Sequence, residues 1–265
     1  MQKLTLEFLE ELRREHHKIE KLNPDPLIFA RNFDDQAEGE VAGLVAASLA
    51  YGRADQIVIA LGKIFDILGK KPRETIMNTP REEFIRALSG FTYRFHKGED
   101  MAEFFHLLRQ TLETHESLKA IFLEGGDLPS GLNLISERIL SQKSGLEAGT
   151  LPKGHPVRFL LASPKTGSAA KRLCLYLRWM ARKDDLDPGY WQGEIATKDL
   201  IVPLDTHVAK CGRLFGLTER KASDWKTAVE VTEGLKAFSP NDPLRFDFSL
   251  FRYGMSRQRS TKKAH

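Results

Sequence analysis

Sulfur is scarce in this chain. Its 265 residues include two cysteines, Cys174 and Cys211, and no CxxC pair. Four thiolates cannot be gathered, which excludes a four-cysteine zinc site, a four-cysteine iron–sulfur cluster and a disulfide scaffold. Two isolated thiols suit a reducing compartment, so a cytoplasmic protein is expected. Long apolar runs are also missing. The longest, Val41 to Tyr51, is too short to span a bilayer, and no membrane role is expected. The opening MQKLTLEFLEEL is acidic and amphipathic, unlike a secretory leader. There is no glycine-rich phosphate loop, no GxGxxG after a strand and no internal repeat. The eight histidines show neither HExxH nor metal-ligand spacing, so neither metal nor cofactor is expected.

What is present is ordinary globular composition, 41% apolar and 29% charged, enough for one large domain or two small lobes. The net charge of +4 conceals an uneven distribution. Residues 143–183 carry nine Lys and Arg against Glu147 alone, a local charge of +8, and residues 252–265 add +5 with no acid. The remainder is acidic. Local basic density of this kind suits a polyanion, although a solvated charged face and a basic tail explain a charge run equally simply.

Periodicity predicts an all-α fold of about ten helices. An amphipathic helix is expected over 4–20, a buried one near 38–51 because it is apolar on every face, and another over 54–68. Longer helices are expected at 99–123 and 130–142. Thr79-Pro80-Arg81-Glu82 reads as a capped start, Asp242-Pro243 as a second before a helix over 243–253, and Ser223 as the cap of 224–237. Residues 145–154 read as a loop and 167–182 as a helix. Leu200-Ile201-Val202 is the only β-like piece, and Pro203 follows it.

Two stretches carry chemistry. In Pro203-Leu204-Asp205-Thr206-His207, an aspartate stands where a helix begins, and N-capping alone would account for it. His207, two residues on, does not share a helix face with Asp205. Upstream, Ser163-Pro164-Lys165-Thr166-Gly167-Ser168-Ala169-Ala170-Lys171-Arg172 is a tight turn of small residues opening a helix. Free amides and flanking cations there can hold a phosphate. An exposed first-turn lysine is the plain alternative for Lys171.

Together these stretches resemble the helix-hairpin-helix DNA glycosylase superfamily, of which endonuclease III is the familiar member. Leu204-Asp205-Thr206-His207 and Arg213-Leu214-Phe215-Gly216-Leu217 match its catalytic segment, and the resemblance spans about 40–254. It implies two helical lobes with a groove between them: 37–203 with the hairpin near 163–172, and 1–36 plus 204–251, followed by a basic tail over 252–265. It implies Asp205 as the catalytic carboxylate and Lys171 as nucleophile or phosphate contact. DNA contacts would come from Lys165, Thr166, Gly167, Ser168, Ala169 and Arg172, with Tyr51 or Arg53 filling the gap left by an extruded base. The iron–sulfur loop is absent, Ala169 replaces the second hairpin glycine, and an insertion at 184–197 lengthens the span from Lys171 to Asp205. A nearer resemblance is to an uncharacterised bacterial family with the Pro-Leu-Asp-Thr-His motif.

The expectation is a monomeric DNA repair N-glycosylase acting on a damaged duplex, bifunctional with lyase activity if Lys171 attacks the sugar. A non-catalytic helix-hairpin-helix DNA-binding protein and an all-α protein interaction module are the alternatives. Phe91, Tyr93, Phe95, Trp179, Tyr190 and Trp191 are the aromatic candidates for a base pocket.

Overall fold

The computed structural model describes residues 4–263, with side chains through Arg257. Among them are thirteen α-helices and one small sheet, a hairpin of β1 (Thr92–Tyr93) and β2 (His96–Lys97) in which Tyr93 faces His96. The fold is largely helical, as periodicity predicts. Residues 200–202 are extended but form no strand; the Val202 amide donates to the Thr232 hydroxyl instead.

The chain packs as two units: a continuous one, Pro24–Lys165, and one that joins Met1–Asn23 to Thr166–His265. These bounds differ from the expected 37–203 and 1–36 plus 204–251. The helix over Lys171–Ala181 belongs with the C-terminal helices because Arg178, on that helix, is ion-paired to Asp187 and Asp247.

The discontinuous unit begins with α1 (Leu6–His16), capped by the Thr5 hydroxyl. The continuous unit follows with α2 (Gln36–Ser48), α3 (Ala54–Leu68), α4 (Pro72–Asn78), α5 (Arg81–Ala87), α6 (Gly98–Thr114), α7 (Leu118–Glu124), α8 (Leu128–Leu140) and α9 (Pro156–Leu160). Asp35 caps α2, and every residue from Gly39 to Ser48 is buried, as its all-round apolarity requires. The expected helix over 99–123 is broken at His115–Ser117, where extended Ser117 starts α7 by accepting from the Ala120 amide. Pro80, not Thr79, stands at the N-cap of α5, and no side chain caps it. Buried Glu103 accepts from Arg81 at 2.6 Å and from Ser144 at 2.7 Å, fastening the 141–154 loop to α6.

Glu40, in the middle of α2, accepts from the Lys119 amide at 2.7 Å. Burial pushes its carboxyl up from 4.5 to about 7, against the amide bonds that favour the charge. The folded chain therefore holds a proton there that the unfolded chain has released. The stability this group contributes is full below its unfolded pKa and is lost as pH rises toward 7. Glu40→Gln keeps an acceptor for the amide and removes the titration. It is expected to raise stability at pH 8 by roughly 1–3 kcal/mol and to flatten the fall in thermal midpoint between pH 5 and 7.5. A variant less stable than wild type at pH 8 would show that the ionised carboxylate is the stabilising form.

The discontinuous unit resumes with α10 (Lys171–Ala181), α11 (Thr206–Leu214), α12 (Trp225–Lys236) and, after a 3-10 turn over Pro243–Phe246, α13 (Asp247–Lys263). Asp242 does not cap that turn; its carboxylate is taken by Arg182. Phe8 of α1 packs on Phe215 and Tyr253 at 5.6 and 5.5 Å, and Arg252 donates to the Lys21 carbonyl. The segment read as a basic tail is not separate from the closing helix, since α13 runs through it to Lys263. Residues 264–265 and the side chains of 258–263 lie outside the described residues.

Candidate functional site

Buried Pro203 and Leu204 bring the chain in extended form to Asp205, which caps α11. Its Oδ1 accepts from the His207 and Val208 amides at 2.8 and 2.7 Å. Both bonds fall on one oxygen, and among the described residues Oδ2 takes no hydrogen bond. Asp205 itself is half-buried. Its charge acts on two neighbours. Burial, reinforced by Asp205, pushes the Cys211 thiol up to about 11, which leaves it a poor nucleophile at neutral pH. Burial pushes Asp247 up to about 6; Arg178 opposes this and Asp205 adds to it.

Asp247 belongs to a buried network with no counterpart in the sequence reading. Arg178 forks onto Asp187 at 3.1 and 2.9 Å and reaches Asp247 Oδ2 at 2.8 Å. Arg182 holds Asp187, Asp184 and Asp242, and His17 lies 3.1 Å from Asp184. Asp247 Oδ1 is buried without a partner. Burial would raise the Asp184 carboxyl, but His17 and Arg182 outweigh it and hold the group well below the usual range.

This network revises the basic segment. Arg178 and Arg182 are each 3% exposed and turned inward. Arg158 donates to the Leu151 and Pro152 carbonyls, Lys183 to the Pro188 carbonyl, and Lys165 pairs with Glu137 at 2.8 Å. Much of the +8 is therefore neutralised or engaged within the protein. The insertion at 184–197 supplies Asp184 and Asp187 to these arginines. Its Trp191 packs edge-on against Tyr176 at 5.4 Å, and the Gly189 and Trp191 amides bond the Trp179 and Met180 carbonyls near the end of α10.

The turn before α10 is built as small residues allow. Lys165, Thr166 and Gly167 are exposed, Ser168 is half-buried and Ala169 is buried. Gly167 has φ +76, and a Cβ there would meet nothing. The left-handed residue at the helix start is Ala170, φ 48, not Ala169. The Ser168 hydroxyl accepts from the Ala170 amide at 3.1 Å. Lys171 and Arg172 open α10 half-buried. Lys165 falls in the continuous unit, its amide bonded to Asn133, while Thr166 to Arg172 fall in the other. The structure thus places Asp205 and Lys171 in one unit, and Tyr51 and Arg53 in the other. Arg53 precedes α3 with its side chain 80% exposed and forked onto Asp55.

The family model described as "Protein of unknown function (DUF2400)" matches residues 25–256. The chain belongs to this family. The DUF2400 match takes in nearly all of the continuous unit, residues 166–256 of the other and every candidate site residue, yet it draws no link to the helix-hairpin-helix glycosylases. No curated protein and no solved structure matches the chain. No described helix of this DUF2400 protein is long and apolar enough to cross a membrane.

Proposed function

We propose that the protein is a DNA N-glycosylase that removes an altered base. One observation carries the reading: Asp205 is held at the start of α11 through Oδ1 alone, with Oδ2 uncommitted among the described residues. A carboxylate fixed in this way can meet positive charge without reorganising. As the bond from C1′ to the base breaks, its electron pair leaves with the base and the sugar becomes cationic. Asp205 stabilises that cation. Water then adds at C1′, and the carboxylate accepts its proton. Lys171 offers a second route, in which the amine adds to C1′ and the base departs, leaving a Schiff base that permits strand cleavage.

The test is a set of duplexes that each carry one altered base, assayed for free base. Release from at least one is expected, and silence across the set would overturn the reading. Borohydride trapping distinguishes the routes. A covalent complex lost in Lys171→Gln identifies the amine as nucleophile, whereas base release without trapping assigns the water route.

A second reading has its own support. The cap bonds explain Asp205 without any chemistry, and a non-catalytic DNA-binding protein would bind the same duplexes, more weakly as salt rises, and release nothing.

A further inference from the structure

The turn at Tyr51 borders an exposed aromatic cluster that the Asp205 and Lys171 chemistry does not involve. Of the aromatic candidates, Phe91, Tyr93, Trp179, Tyr190 and Trp191 are all buried. Phe95 is not: it is 51% exposed, and Phe159 beside it is 40% exposed. Their rings meet edge-to-face, centroids 5.0 Å apart. Tyr51 completes a triangle at 5.8 Å from Phe95 and 5.0 Å from Phe159, and buried His96 lies beneath Phe95 at 4.6 Å.

The cluster is held rigidly. His96 Nε2 is 3.0 Å from the Pro156 carbonyl, which can only accept, so that nitrogen carries the proton. In the neutral ring His96 Nδ1 then accepts from the Tyr51 hydroxyl, 2.5 Å away. The Tyr93 hydroxyl donates to the Tyr51 carbonyl. Gly52 has φ +98, and a Cβ there would stand 2.9 Å from the Tyr93 hydroxyl. At the hairpin tip Arg94 adopts φ 56, an unfavourable backbone for a side-chain-bearing residue, and the next residue is the exposed Phe95. Arg94 is exposed and makes no ion pair among the described residues. Arg53 is already forked onto Asp55.

We propose that Tyr51, Phe95 and Phe159 form a stacking platform for unpaired DNA bases, with Arg94 serving the phosphates. Every base offers a π-face, so exposed rings beside a guanidinium group suit such a ligand whatever its sequence. A buried cluster would need no cations, and a purely aliphatic partner would need no rings. The inference takes DNA as partner from the reading above, but it does not depend on Asp205 chemistry.

The test compares binding of the full chain to a labelled oligothymidine and to an equally long strand of tetrahydrofuran abasic analogues. The charge is the same, the bases are gone, and no Schiff base can form. Wild type is expected to prefer the base-bearing strand by roughly fivefold or more. Phe95→Ala with Phe159→Ala should bring that ratio to about one and leave the abasic affinity unchanged. Phe95→Tyr should keep the ratio and Phe95→Leu should lower it, which separates stacking from apolar contact. Both side chains are substantially exposed, so the thermal midpoint serves as the folding control. Equal wild-type affinities, absence of binding, or a ratio that survives the double substitution would overturn the platform. Asp205→Asn should not change the ratio. A preserved preference with no base release would remove the glycosylase reading alone, and base release with no preference would remove the platform alone.

Discussion

Arg178→Ala is expected to destabilise the protein by about 3–5 kcal/mol, lowering the thermal midpoint by roughly 10 °C. Arg178 is 3% exposed and carries hydrogen bonds to both Asp187 and Asp247. Removing it strands two buried carboxylates. Asp187 keeps Arg182. Asp247 keeps nothing comparable, because its Oδ1 already lacks a partner. Asp247 is pushed up to about 6 with Arg178 in place, and it must rise further without it. The variant's deficit should therefore be largest at pH 8 and smaller near pH 5, where Asp247 can take up a proton. Arg178→Lys should not restore stability, since an ammonium cannot fork onto Asp187 and reach Asp247 together. Denaturant titrations at the two pH values measure this. A loss below about 1 kcal/mol would mean that the pairs contribute no more than surface ones.

Asp205→Asn is expected to separate fold from chemistry. Asparagine caps a helix about as well as aspartate, and its Oδ1 can accept from the same His207 and Val208 amides. The thermal midpoint should move little. Under the proposed reaction the lost charge no longer meets the cationic sugar, and base release should fall by about a hundredfold or more. Cys211 and Asp247 supply a check that needs no substrate. Asp205 raises both, so both should titrate lower in the variant, measured by thiol alkylation against pH and by NMR of the carboxyl. Full base release by Asp205→Asn would remove Asp205 from the mechanism.

What could be read from the sequence was local. The all-round apolarity of α2 and the Asp205 cap are properties of neighbouring residues, and both stand in the structure. The long-range partners could not be read. Arg178 and Arg182 count as surface cations until Asp247 and Asp242, 69 and 60 residues on, are known to meet them. The hairpin at 92–97 has two-residue strands, too short for alternation to register. Phe95 was legible as an aromatic candidate; its exposure follows from the hairpin and the backbone of Arg94.

The pairing of α1 with α13 bears on how the chain acquires its structure. Lys21 and Arg252 are 231 residues apart in sequence, so α1 leaves the ribosome long before its partner exists. Its buried residues Leu9 and Leu12 have no α13 to cover them while Pro24–Lys165 is synthesised. The continuous unit has all its contacts within reach first and can fold as the chain emerges. The discontinuous unit must wait for its last helix and then close a very long loop, a late and entropically costly step. α1, made long before α13, is among the last parts to find its place.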